Sequence, residues 1–331
     1  MAGKLMKAVQ YSGYGGGAGS LQHVEVPVPT AKKGELLVKL EATSLNPVDW
    51  KTQKGILRPF MPSRFPYIPA TDIAGEIVSV GPGVEDFKPG DKIVSWLNIS
   101  SGGGLAEYAV ASVKNTVKRP PGVSAEEGAS LPIAGLTALQ AVRDSAGVKL
   151  DGTGKETNLL ITAASGGVGH FAVQIAKLGR AHVTATCGAR NLNLVKDMGA
   201  DEVLDYKTPE GAALKSPSGR KYDAVIHCAT HMPWSIFQPN LSSNGKVIDI
   251  TPNFTSFLTF LGKKVTLSQQ QLVPLFFLPR VSDMALMANL VEEGKIKPLI
   301  DSKYPLQKAE EAWAKSMEGH ATGKIIVTFE E

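Results

Sequence analysis

Asn158-Leu159-Leu160-Ile161 is a short apolar run of strand composition, and the segment after it decides the fold. The chain turns through Ala164-Ser165-Gly166-Gly167-Val168-Gly169. It goes on as Phe171-Ala172-Val173-Gln174-Ile175-Ala176-Lys177-Leu178, a helix pattern that Gly179 stops. A second strand, His182-Val183-Thr184-Ala185-Thr186, comes next. Strand, glycine turn, helix and strand within about 30 residues make one βαβ unit. Glycine at such a turn lets the backbone approach a phosphate with no Cβ in the way, and the helix offers the anion its unpaired N–H groups. A Gly-rich triplet alone is weak. Its place between a strand and a helix makes a dinucleotide the expected ligand.

The end of the second strand says which dinucleotide. A site for NAD carries an acidic residue about 20 positions past the first glycine, where it bonds the ribose 2′-OH. Here that place reads Thr186-Cys187-Gly188-Ala189-Arg190-Asn191, with no carboxylate. Arg190 can instead pair a 2′-phosphate, and such charge-assisted bonds contribute roughly 1.5–3 kcal/mol each. NADPH is the expected cofactor.

Outward from this unit the chain has two textures. Before about residue 130 it is β-rich. Runs such as Leu36-Leu37-Val38-Lys39-Leu40 and Ile73-Ala74-Gly75-Glu76-Ile77-Val78-Ser79-Val80 alternate with turn signals such as Gly81-Pro82-Gly83 and Lys88-Pro89-Gly90-Asp91, a barrel-like spacing. From about Ala129 helices and strands alternate. Residues 131–143 read as a helix, and further strands are expected at Ala224-Val225-Ile226-His227 and Lys246-Val247-Ile248-Asp249-Ile250, which describes a doubly wound parallel sheet. The last strand, Lys324-Ile325-Ile326-Val327-Thr328-Phe329, is expected to return to the first domain. The division is therefore residues 1–130 with 299–331 for the β-rich catalytic domain, and 131–298 for the dinucleotide domain; 331 residues suffice for two cores.

Composition excludes several classes. A net charge of +4, with Lys and Arg scattered among acids, makes no nucleic-acid stripe. Two cysteines, Cys187 and Cys228, cannot build a disulfide framework or a Cys-rich metal site. No apolar run reaches the 18 residues of a membrane span, and the first residues lack the pattern of a signal or transit peptide, which by itself favours the cytosol. After Thr251 the chain is unusually apolar: Phe254, Phe257, Leu258, Phe260 and Leu261, then Leu272-Val273-Pro274-Leu275-Phe276-Phe277-Leu278-Pro279. Two prolines preclude a helix through the second run. Three readings stay open for it: an interface with a second copy in a dimer or core packing, the wall of a lipophilic pocket, or a peripheral contact with a membrane surface.

By now the motifs match a family. Asn46-Pro47-Val48-Asp49, Gly75-x5-Gly81-x-Gly83-Val84, Gly90-Asp91, Gly103-Gly104-Leu105-Ala106-Glu107-Tyr108, the glycine turn and Thr322-Gly323-Lys324 occur in order over the whole chain. The sequence resembles the medium-chain dehydrogenase/reductase superfamily, in its zinc-free quinone oxidoreductase branch. Within that branch it is similar to the plant chloroplast-envelope homologues, which are themselves similar to NADPH-dependent alkenal/one reductases. The resemblance implies a GroES-like β-rich domain joined to a Rossmann domain, and a place on the stromal face of the chloroplast inner envelope, held peripherally. Zinc relatives carry Gly-His-Glu where this chain has Ala70-Thr71-Asp72, and a Cys where it runs Ser44-Leu45-Asn46, so no metal site is expected.

The resemblance also implies site residues. Thr137 would pack near the nicotinamide. Ser165, Gly166, Gly167 and Val168 would hold the pyrophosphate, and Gly188, Arg190, Asn191 and Tyr206 would surround the 2′-phosphate and adenosine. Cys228, Ala229, Thr230, Ile250 and Thr251 end strands at the carboxyl edge of the sheet, where open α/β folds bind ligands. Thr322 and Lys324 complete the cofactor set. Asn46 is a candidate to bond the cofactor ribose or the substrate carbonyl. Lys51, where many relatives have Tyr, is a candidate to hold enolate charge or contact the cofactor, which leaves the proton donor open, with water among the candidates. The expected reaction is hydride transfer to the β-carbon of an α,β-unsaturated carbonyl, a lipophilic oxoene. Quinone reduction and a non-catalytic NADPH-binding module are the alternatives.

Overall fold

The computed structural model describes residues 3–58, 61–62, 64–230 and 232–329. They form two compact units, 1–134 with 279–294 and 298–331, and 135–278 with 295–297.

The second unit carries six parallel strands. In spatial order they are Glu202–Asp205, His182–Cys187, Asn158–Ile161, Tyr222–His227, Leu241–Asp249 and Gln271–Pro274. Numbered along the chain this order is 3-2-1-4-5-6, the Rossmann arrangement. The inner strands are almost wholly apolar because both faces are covered, and Leu159, Leu160, Ile161, Val225 and Ile226 have no exposed surface. The order reverses between Asn158–Ile161 and Tyr222–His227, and open sheets of this kind bind ligands beyond the carboxyl ends of the strands at that point. Residues 131–143 are helical as expected, but Gln140–Ser145 is wound with i→i+5 bonds, such as Ala146 N–H to Ala141 O at 2.8 Å.

The first unit is built on a seven-stranded sheet. Its path runs Ile300–Pro305, Lys324–Thr328, Glu35–Leu45, Asp72–Val80, Lys92–Trp96 and Thr116–Lys118, and Tyr108–Ser112 also pairs with Glu35–Leu45. The last strand does return to the β-rich unit, where Ile325 stands opposite Leu45 in antiparallel register. This pairing brings Lys324 beside Asn46 across 278 residues of sequence. Trp313, Tyr11, Leu105 and Ile325 are buried under the sheet, and Trp313 Nε1–H donates to Gln53 Oε1 at 3.0 Å. Each such large apolar side chain contributes about 1.5–3 kcal/mol by its burial.

The expected boundaries need correction at 279–294. By sequence the helix Val281–Glu292 falls in the dinucleotide domain, but it groups with the β-rich unit beside the strand Thr116–Lys118, and its Met284, Met287, Ala288 and Leu290 are buried. An amphipathic helix shows in sequence that it has an apolar face. It does not show which sheet will cover that face.

The apolar stretch after Thr251 divides as its prolines require: a helix, Phe254–Val265, then the edge strand Gln271–Pro274 and a loop. Phe257, Leu258, Leu261, Val265 and Leu267 are exposed, whereas Phe260 and Val273 line an open groove of about 410 Å3.

Candidate functional site: a nucleotide corner and a buried polar cluster

The glycine turn is closed by backbone geometry. Ala163 is held at φ 48°, in the left-handed region, and its carbonyl accepts the Gly166 N–H at 2.9 Å. A Cβ on Gly169 would stand 2.3 Å from Ala163 O and 2.7 Å from Ala164 Cα, so only glycine lets the helix Gly169–Leu178 start this close to the strand. Gly166, Gly167 and Val168 are half-buried, between a buried Ser165 and a buried Gly169. The turn thus presents backbone N–H groups at the N-terminus of a ten-residue helix, the donor set a pyrophosphate requires. The dinucleotide fits this corner.

Asn191 Nδ2 donates to Ser165 Oγ at 3.0 Å and so ties the expected 2′-phosphate end to the pyrophosphate turn. Arg190 is exposed in the short turn Ala189–Asn191; the strand His182–Cys187 itself ends without an acid, and Asp205 of the neighbouring strand stands beside Cys187. The Tyr206 ring lies against Gly188, where an added Cβ would meet Cε1 at 3.6 Å, and is 48% exposed at the end where the adenosine is expected. Lys207, which carries no sequence signal of its own, places Nζ 5.9 Å from the centroid of that ring and adds a second cation at this end.

Cys228, Ala229, Thr230, Ile250 and Thr251 gather at the ends of their strands, and Thr162 organises the first two. Its buried hydroxyl accepts the N–H of Cys228 at 2.9 Å and of Ala229 at 3.2 Å, and lies 3.2 Å from His227 Nδ1. Sequence reasoning missed Thr162, because a threonine after a strand is unremarkable until register puts another strand end beside it. Ile250 N–H donates to His227 O at 3.4 Å, and Thr251 N–H to Asp249 Oδ1 at 3.0 Å. Burial first, then the charge of Asp249, push the Cys228 thiol up to about 12, which disfavours the thiolate. Thr137 is buried in the helical segment Leu136–Leu139, which packs on the helix Gly169–Leu178.

The β-rich unit holds the remaining candidates. Asn46, expected to reach a ligand, is 3% exposed, and both ends of its amide have protein partners. Nδ2 donates to Asp72 Oδ2 at 2.8 Å, while Oδ1 accepts from Lys324 Nζ at 2.5 Å. Its backbone N–H donates to Asp49 Oδ2 at 2.7 Å, which caps the helix Pro47–Gln53. Lys324 was expected to contact the cofactor; its Nζ is instead engaged by Asn46 and, at 3.4 Å, by Leu45 O, with the residue 3% exposed. Desolvation pushes the Asp49 carboxyl up to about 7 and that of Asp72 up to about 6, and lowers the Lys324 ammonium against the pull of both acids. In sequence Asp72 is no more than a residue that breaks a zinc motif; here it is the acceptor for Asn46, Ser44 and the Ile133 N–H. Among the described residues no three His, Cys, Asp or Glu side chains gather as a metal site. Lys51 is half-buried, with Nζ 5.7 Å from the centroid of the Trp50 ring. Thr322 N–H donates to Asp301 Oδ1 at 2.8 Å.

Residues 32–121 match the alcohol dehydrogenase GroES-like domain, and residues 198–327 match the zinc-binding dehydrogenase family. Over 99% of both chains the protein is 68% identical to an Arabidopsis thaliana protein named chloroplast envelope quinone oxidoreductase homolog. The chain belongs to the quinone oxidoreductase branch of the medium-chain dehydrogenase/reductases. This oxidoreductase also superposes on the quinone oxidoreductase of Coxiella burnetii with a TM-score of 0.88, at 29% identity, over 99% of this chain and 100% of that one. It is 30% identical to the Arabidopsis thaliana NADPH-dependent alkenal/one oxidoreductase, over 98% of this chain and 80% of that protein. Family and fold together make it an oxidoreductase that uses a pyridine nucleotide.

Proposed function

We propose that this oxidoreductase takes NADPH and saturates the C=C bond beside a carbonyl in medium or long oxoenes, the electrophilic products of lipid peroxidation. The glycine corner would hold the pyrophosphate of the coenzyme, whose reduced form, when bound, would supply a hydride for the β-carbon of the enone. The observation that carries the reading is the donor set of the β-rich unit. Asn46 and Lys51 can donate hydrogen bonds or positive charge to an oxygen, with Lys324 engaged on the other end of the Asn46 amide, but none of them can act as the Lewis acid that alcohol oxidation needs. A conjugated enone is already electrophilic at its β-carbon and reacts with that lesser help. The protein's part is to orient the two reactants, to stabilise the enolate oxygen and to let a proton reach the α-carbon.

Arg190 and Lys207 favour the phosphorylated coenzyme, since both are cations at the ribose end of the corner. The apolar composition of segment 254–278 supports a long aliphatic substrate. Reduction of quinones is the second reading, favoured by the name of the relative at 68% identity. Following NADPH oxidation with a nine-carbon enal and with a simple quinone separates the two, and turnover with the quinone alone would overturn the first. The names of the same relatives support a plastid location, which we place at the inner envelope, peripherally on the stromal side; no described helix is long and apolar enough to cross a membrane. Fractionation with a high-salt wash tests it.

A further inference from the structure

The Asn46 amide is bracketed by opposite partners. A carboxylate takes Nδ2 and a lysine Nζ takes Oδ1, all three side chains being at most 3% exposed. Turning the amide over would set its N–H groups against the donor Nζ and its oxygen against the carboxylate, exchanging two favourable contacts for two repulsive ones. Lys324 donates to two carbonyl oxygens, Asn46 Oδ1 and Leu45 O, and would do so in either charge state. Asp72 is itself fixed, since its Oδ2 also accepts from Ser44 Oγ at 3.2 Å and from Ile133 N–H at 3.1 Å. The charged or titratable groups facing the cluster are Asp49 on the helix Pro47–Gln53, Asp72 and Lys324 on two strands of the sheet, and Tyr11 and Tyr67 near Asp49. An amide nitrogen has two hydrogens. With one on Asp72, a single Nδ2 hydrogen is left, in a direction set by the other two residues.

We propose that Lys324 and Asp72 are positioning residues for Asn46: they fix its amide in one orientation, so that the remaining Nδ2 hydrogen is the donor for the substrate's carbonyl oxygen. This rests on the carbonyl-reducing role proposed above for the β-rich unit. It also reassigns Lys324, which the sequence placed among the cofactor ligands. Lys324 acts through Asn46 and not on the coenzyme.

A double-mutant cycle tests it, run at saturating NADPH with whichever of the enal and the quinone is turned over. Asn46→Ala and Lys324→Met should each lower kcat about tenfold to a hundredfold, as expected for one oxyanion donor. The KM for NADPH should stay within about twofold, and the double variant should lose no more than the worse single one. Losses that multiply, or a raised KM for NADPH with kcat retained, would overturn the proposal, because Lys324 would then act independently of Asn46. Full kcat in Asn46→Ala also overturns it, while the enal and quinone rates of the unaltered enzyme still decide the reaction itself. Should Lys324→Met fail to fold by circular dichroism, Asp72→Asn takes its place. That change keeps the shape but removes the charge that orients the amide, and it should show the same non-additive loss; unchanged kcat in Asp72→Asn would refute the positioning role.

Discussion

Replacing Gly169 by alanine sets two effects of opposite sign against each other. At a helical position the change from glycine to alanine gains about 1 kcal/mol of propensity. At Gly169 the new Cβ would lie 2.3 Å from Ala163 O, 2.7 Å from Ala164 Cα and 3.0 Å from Ala163 C, and all three atoms are backbone. No side chain can swing away, so the helix start or the turn must move, and overpacking of this kind costs about 1–3 kcal/mol and occasionally more. We expect the clash to win by about 1–2 kcal/mol, a fall in Tm of roughly 1.5–3 °C for 331 residues at about 2.1 cal/mol/K of unfolding entropy per residue. Gly262 supplies the control. It lies in the helix Phe254–Val265 of the same unit, is exposed, and an added Cβ meets nothing within 4 Å. Gly262→Ala should therefore raise Tm by roughly 1–2 °C. Thermal scans read both variants, and quenching of NADPH fluorescence reads the corner, where Gly169→Ala should weaken binding about tenfold or more because the turn carries the phosphate donors. If Gly169→Ala instead matched Gly262→Ala in Tm and bound NADPH normally, the close approach of strand and helix would not be what shapes the site.

Three further outcomes turn on single residues. Arg190→Ala should raise the KM for NADPH about tenfold and leave that for NADH little changed. Arg190 is exposed, so the effect should sit at the lower end for a charge-assisted bond and shrink at high salt; equal effects on both coenzymes would remove Arg190 from the phosphate. Thr162→Val leaves the half-buried N–H groups of Cys228 and Ala229 without their acceptor and should cost about 1–2 kcal/mol, with weaker coenzyme binding, checked by denaturant unfolding and titration. Glu202 tests the acid limb. Burial would raise its carboxyl, but hydrogen bonds from Ser218, Ser216 and Thr184 outweigh that and hold it down at about 2. Its folded value lies below its unfolded one, so its stabilisation is present above about pH 4.5 and is lost as pH falls toward 2. Glu202→Gln should flatten the fall of Tm between pH 5 and 3, and a parallel curve would contradict this.

The nucleotide unit and the order of textures along the chain are legible from the residues alone. Their signals are local: a strand composition, a turn that only small residues can make, a helix period and a glycine stop, all within residues 158–191. Backbone sterics and periodicity act between neighbours, so they can be read from neighbours. The return of the last strand was legible for a related reason, since Lys324–Thr328 has strand composition and the β-rich texture lies at the other end of the chain. Where the helix Val281–Glu292 belongs, and what surrounds Asn46, Thr162 and Lys324, is settled only in three dimensions. Those answers depend on register between strands far apart in sequence, with Ile325 opposite Leu45 and Ile226 beside Ile161. Burial then acts on what register brings together: it turns a lysine that reads as a cofactor ligand into a partner of Asn46, and an aspartate that reads as a lost metal motif into the group that orients the amide. Desolvation and hydrogen-bond direction are properties of a position in space, and no run of neighbouring residues encodes them.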